Sequence, residues 1–119
     1  MSNIDRKHTN TRMSKIVRHG DLVYLCGQTA SGSAEASADI TAQTHETLSR
    51  VDSLLSEAGS SRTRILSATI YLRDMSDFSA MNAVWESWIE PGTAPARTTV
   101  EARLASASLL VEVTVLAAA

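Results

Sequence analysis

The feature that most limits what this chain can become is a change of hydrophobic period at Asp39. Before it, apolar residues come in short alternating runs. From Asp39 to Gly59 they recur every three or four residues, so Ile40, Thr44, Thr47, Leu48, Val51, Leu54, Leu55 and Ala58 fall on one face of a helix. Asp39 fits the N-cap, and Gly59 sits where a glycine past the last turn ends a helix. Gln43, Glu46, Arg50 and Glu57 make up the opposite face, which the pattern assigns to solvent.

Strand patterns flank this helix. His19-Gly20-Asp21 separates residues 14–18 from Leu22-Val23-Tyr24-Leu25-Cys26, and a two-residue link containing Gly predicts a β-hairpin. Residues 30–38 are small and polar and read as a loop. In 65–72 the even positions Leu66, Ala68, Ile70 and Leu72 form the expected buried row. Phe78, Met81, Trp85, Trp88 and Ile89 then share a helical stripe, with Ser76 as its cap and Pro91-Gly92 as its stop. Two strands close the chain. In the first, Val100, Ala102 and Leu104 alternate with Thr99, Glu101 and Arg103; in the second, Leu109, Val111, Val113 and Val115 alternate with Leu110, Glu112, Thr114 and Leu116. The order ββαβαββ predicts an α+β layer pair, two helices over one face of a mixed sheet. The other face, with its Thr, Leu, Glu and Arg, is left uncovered. A half-apolar sheet face on a small domain favours self-association, and ligand sites are expected where subunits meet.

Composition narrows the function classes. At 119 residues the chain is read as one domain, 1–119, and with 4% aromatic residues its core must be aliphatic. A net charge of −2 argues against a broad nucleic-acid-binding face, so no nucleic-acid partner is expected. The single cysteine, Cys26, excludes an internal disulfide and fits a reducing compartment. The polar start and the lack of an apolar run of roughly 20 residues predict a cytoplasmic protein with no membrane partner. His8, His19 and His45 are scattered and lack cysteine partners, so no metal site is expected. The five glycines are dispersed and form no phosphate-binding loop, so no cofactor is expected.

Four residues stand out chemically. Glu112 lies in the middle of the most apolar strand, where it is either a solvent-facing carboxylate or a group lining a subunit cleft and orienting a water. Arg97 follows Pro95-Ala96 at a strand start. It is either a solvated end residue or a fork for a substrate carboxylate, a geometry lysine does not match. Cys26 precedes Gly27-Gln28 and reads more readily as a small buried residue than as a nucleophile. Asn82 lies one position off the apolar stripe of the second helix and would by itself be assigned to the surface.

Together these residues form a pattern. Pro95-Ala96-Arg97-Thr98-Thr99-Val100-Glu101, followed fifteen residues after Arg97 by Glu112, resembles the signature of the RidA/YjgF family. Cys26-Gly27-Gln28 after a strand, and Asp77-Phe78 with Met81-Asn82 ahead of Trp85-Glu86, extend the resemblance over most of the chain. It implies a chorismate-mutase-like α+β fold with a mixed six-stranded sheet and two helices on one face. It also implies a homotrimer whose sheets form a central barrel, with three sites in the clefts between subunits. The implied activity is cofactor-free and metal-free hydrolysis of reactive 2-imino and enamino acids to 2-oxo acids and ammonia. By position, Arg97 would bind the substrate carboxylate and Glu112 would place the water. Cys26, Asn82 and Thr99 would line the cleft. One segment departs from the deaminase pattern: Arg12-Met13-Ser14 replaces the usual Gly-Pro-Tyr, so Met13 takes the tyrosine position and Arg12 adds a second guanidinium. It resembles a separate branch of the family. The alternative function is therefore a trimeric module that binds a small carboxylate metabolite without turnover, or a hydrolase of a different substrate.

Overall fold

Alternating runs and a capped amphipathic helix assemble into six strands and two helices in the computed structural model, which describes residues 3–119. The strands are β1 (Ile4–Thr9), β2 (Ser14–His19), β3 (Leu22–Leu25), β4 (Ile65–Leu72), β5 (Ala96–Glu101) and β6 (Val111–Ala118). The helices are α1 (Ile40–Glu57) and α2 (Phe78–Trp88). The sheet order is β1-β2-β3-β6-β4-β5, antiparallel except for the β4–β5 pair. That parallel pair needs a crossover, which α2 supplies.

Local chemistry explains where the elements begin and end. The Asp39 carboxylate accepts from Ala42 N and caps α1, and Gly59 follows its end at φ +81°. Gly20 turns the β2–β3 hairpin at φ +60°, a conformation costly to any residue with a Cβ. Both helices cover the same face of the sheet. Leu48, Val51 and Leu55 of α1 and Met81 and Trp85 of α2 are buried with Val23, Ile70, Leu72, Val111 and Val113.

Four local expectations are corrected. Gln43, assigned to the solvated face of α1, is fully buried: its Nε2 donates to Ala38 O and Ser108 O, and its Oε1 accepts from Leu110 N. Leu66, assigned to the buried row of β4, is 47% exposed, because a register irregularity between Ile65 and Ser67 turns it outward. Ser76 does not cap α2; a 3-10 turn (Met75–Asp77) precedes that helix, and Asp74 accepts from Ser76 N. In β5 it is Val100 that faces outward and Arg97 and Thr99 that are sheltered, the reverse of the pattern reading. The residue pattern also missed β1. Ile4-Asp5-Arg6-Lys7-His8-Thr9 has no apolar row and all six residues are exposed, so only backbone pairing with β2 makes it a strand. His8 Nε2, 2.7 Å from Glu57 Oε2, ties this edge to the end of α1.

Candidate active site

Arg97 owes its position to the β4–β5 pairing. It stands beside Ala68, and Thr99 stands beside Ile70. Ala68 and Ile70 are buried under the helices, so Arg97 and Thr99 rise from the helix-covered face at the open edge of the sheet. There the guanidinium lies 5.5 Å from the ring centre of Trp85 and 5.9 Å from that of Phe78. It belongs to none of the ion pairs found among the described residues. A half-buried arginine with a flat apolar seat and no carboxylate partner is suited to an anion from outside the chain. Asn82 sits between the two rings on α2, one turn from each. Its Oδ1 and the Thr99 Oγ1 are buried without hydrogen-bond partners. Native structures leave few such atoms unpaired, and Asn82 and Thr99 belong to the same open edge as Arg97.

Glu112 occupies a different place. It pairs across to Tyr71 in β4, while Val111 and Val113 on either side of it are buried against the helices. By strand alternation Glu112 therefore belongs to the uncovered face, in one row with Tyr71 and Val100. Past β3 the chain leaves β6 and rejoins it at Gln28, through Gln28 N to Val113 O at 2.8 Å and Val113 N to Gln28 O at 3.0 Å. Gly27 lies in this gap, directly against the Glu112 carboxylate. A Cβ there would stand 2.9 Å from the carboxyl carbon, too close for any real contact. The residue next to it, Cys26, donates its N–H to Lys15 O, and its Sγ accepts from Gln28 Nε2 at 3.2 Å. Burial pushes the Cys26 thiol above its ordinary pKa, and the Lys15 charge and the Gln28 bond only partly oppose that. The shift favours the thiol over the nucleophilic thiolate.

Arg12 and Met13 lie in the β1–β2 turn, where both backbone N–H groups donate to Asn10 Oδ1. Met13 is 38% exposed. Of the seven sequence candidates, Arg97, Asn82, Thr99, Cys26 and Glu112 thus fall into two groups on opposite faces of the sheet, and Arg12 and Met13 stand in the β1–β2 turn. One protomer does not bring Arg97 and Glu112 together. A cleft of about 510 Å³ beside α1, lined by Lys15, Gln28, Ser31 and Arg50 among others, contains neither of them.

The family model described as Endoribonuclease L-PSP matches residues 4–119. The chain belongs to the YjgF/RidA family. Among YjgF/RidA relatives, the RutC family protein YoaB of Escherichia coli is 38% identical over 115 residues, covering 97% of each chain. A RutC family protein of Haemophilus ducreyi is 36% identical, over 97% of this chain and 96% of its own. In three dimensions a YjgF-family protein of Neisseria meningitidis superposes with a TM-score of 0.89 at 38% identity, covering 98% of this chain and 94% of that one. The six-stranded mixed sheet with two helices on one face is therefore the YjgF/RidA fold, as the resemblance implied.

Two features of the site had only weak signals in the sequence. Phe78 and Trp85 sit at helical spacing and so read as core stripe, although Phe78 is 39% exposed. Gly27 read as an isolated glycine after a strand. Its contact with Glu112 crosses from the segment after β3 to β6 and has no local signature.

Proposed function

We propose that this chain is a cofactor-free hydrolase of 2-imino and enamino acids, working as a homotrimer in a reducing cytosol. Each cleft would pair the Arg97 edge of one subunit with the Glu112 face of the next. The observation that carries this reading is the unpartnered Arg97 on its aromatic seat. It is a carboxylate receptor with two buried, unsatisfied polar groups beside it, in a family whose signature this chain keeps. The placement of Arg97 and Glu112 on opposite faces supports a site built from two copies. No helix among the described residues is long and apolar enough to cross a membrane.

The chemistry asks for few parts. An enamino acid first tautomerises to the imine, and protonation of its nitrogen makes the adjoining carbon electrophilic. Arg97 holds the substrate carboxylate in a two-point grip, and Glu112 orients a water and takes its proton as oxygen attacks that carbon. The C=N electron pair moves to nitrogen and gives a carbinolamine. Glu112 returns the proton to nitrogen, then takes the carbinol O–H proton as the C–N bond breaks, and a 2-oxo acid and ammonia leave. Positioning and a water-orienting carboxylate are each sufficient for large factors; the second is worth on the order of 10²–10⁴-fold.

The test is decay of 2-iminopropanoate, generated in place by an amino-acid oxidase, with and without the protein. Arg97→Ala and Glu112→Gln subunits are each expected to be inactive. A one-to-one mixture refolded together is expected to regain about a quarter of wild-type activity, because in a cyclic trimer about one cleft in four receives both intact groups. An inactive wild type overturns the reading. Inactive mixtures, with each variant assembled, overturn the shared cleft.

Gly27→Ala probes the same carboxylate from behind. The new methyl meets the movable end of the Glu112 side chain rather than backbone, so the carboxylate shifts while the fold stays. The expected result is a loss of imine hydrolysis of roughly tenfold or more, with a change in unfolding free energy below about 1 kcal/mol. Paired rate and urea-melt measurements check it.

The relatives suggest a second class. One superposing structure is a putative translation initiation inhibitor from Salmonella typhimurium. The net charge of −2 weighs against RNA as substrate, and incubation of the pure protein with RNA over a range of salt concentrations tests it. The Met13 substitution favours a different alternative, a trimer that binds a small carboxylate without turnover. It predicts ligand-induced thermal stabilisation, lost in Arg97→Ala, with no acceleration of imine decay.

A further inference from the structure

Arginine forks are usually aimed by a carboxylate that pairs with part of the guanidinium. Arg97 has no such partner among the described residues. What touches it instead is a pair of aromatic rings on α2, Trp85 at 5.5 Å and Phe78 at 5.9 Å from the guanidinium carbon to the ring centres. Trp85 is itself fixed: it is 5% exposed and packs against Trp88 at a centroid distance of 5.6 Å. Phe78, at the first turn of α2, is 39% exposed and forms the outer wall.

We propose that Trp85 and Phe78 are positioning residues for Arg97, a cation–π seat that holds the guanidinium with its donor edge free for a ligand carboxylate. The inference rests on the reading of Arg97 as the carboxylate receptor and adds what orients it. An acidic partner would orient the fork equally well, but it would also occupy the donors and repel the incoming anion. Ring faces attract the cation and leave every N–H unused. The indole, the strongest cation–π acceptor of the aromatic side chains, is the buried and rigid member of the pair.

The experiment measures equilibrium binding of pyruvate, as a 2-oxo acid probe, together with steady-state imine hydrolysis. The proteins are wild type, Phe78→Leu, Trp85→Leu, Trp85→Phe and Arg97→Ala. Removing a ring is expected to weaken pyruvate binding and raise KM by about 3–30-fold, with kcat changed by less than about threefold. Trp85→Phe, which restores a ring, is expected to recover most of the loss in Trp85→Leu. Phe78 is exposed, so Phe78→Leu keeps the test open if Trp85→Leu does not fold. Wild-type pyruvate affinity in Phe78→Leu, no difference between Trp85→Phe and Trp85→Leu, or a fall in kcat at constant KM overturns the positioning role. If Arg97→Ala alone abolishes binding, the receptor reading stands and only the seat falls. If Arg97→Ala binds and turns over like wild type, both fall.

Discussion

Arg97→Ala is expected to lower kcat/KM for 2-imino acid hydrolysis by about 10²–10⁴-fold while leaving the fold intact. Hydrogen bonds to a charged group are worth roughly 1.5–3 kcal/mol each, and a two-point grip on a carboxylate uses two of them. The folded chain loses little, because Arg97 forms no ion pair among the described residues and is only partly buried. The unfolding midpoint should therefore stay close to that of wild type. Arg97→Lys keeps the charge but gives up the planar fork, and it should fall between wild type and the alanine variant. Imine-decay kinetics across a substrate series, beside urea melts of the same preparations, measure both halves. A wild-type rate in Arg97→Ala removes the carboxylate receptor from the mechanism.

Gln43→Leu is expected to cost about 2–4 kcal/mol of stability, the largest effect of any single change considered in the body of the fold. The Gln43 side chain is fully buried and satisfies three backbone groups: the carbonyls of Ala38 and Ser108 and the N–H of Leu110. Leucine fits the space but leaves those part-buried groups without their partners, and an unsatisfied buried group costs about 1–3 kcal/mol. Gln43 also joins the start of α1 to the segment that leads into β6, which carries Glu112. Arg73 holds the same segment through Leu109 O and Ser106 O, so part of the loop should keep its place. The expected signature is a lower urea midpoint at unchanged slope, measured at fixed protein concentration. A midpoint within about 0.5 kcal/mol of wild type would show that the clamp is dispensable.

The parts of the fold legible in the sequence are those where one period acts over many residues. The helix after Asp39, with its cap and its terminal glycine, is read almost to the residue, as is the buried row Val111, Val113 and Val115 in β6. What local pattern could not give is anything decided by a partner element. β1 is polar on both sides and exists because β2 offers it backbone groups. Gln43 looks like a surface residue until the chain 65 positions later supplies Ser108 as its acceptor. Leu66 keeps the parity of its neighbours in sequence and loses it to the irregularity at Ile65 and Ser67.

The site divides in the same way. Glu112 stands out as a carboxylate inside an apolar strand and Arg97 as a guanidinium at a strand start after Pro95-Ala96, and both signals are local. That they would stand on opposite faces follows from two pairings, Arg97 with Ala68 and Glu112 with Tyr71, and neither pairing is written in the spacing of fifteen residues. The seat of Arg97 was visible only as a hydrophobic stripe, because helical spacing does not distinguish a ring that packs inward from one that also meets a cation.

The opposed faces have a consequence for how the protein behaves on dilution. Under the proposed mechanism a solitary chain would carry its anion grip on one side and its water-activating acid on the other, with a layer of β-sheet between them, so no single small molecule would reach both. Turnover per chain should then vanish below the concentration at which subunits part, making catalysis itself the gauge of association.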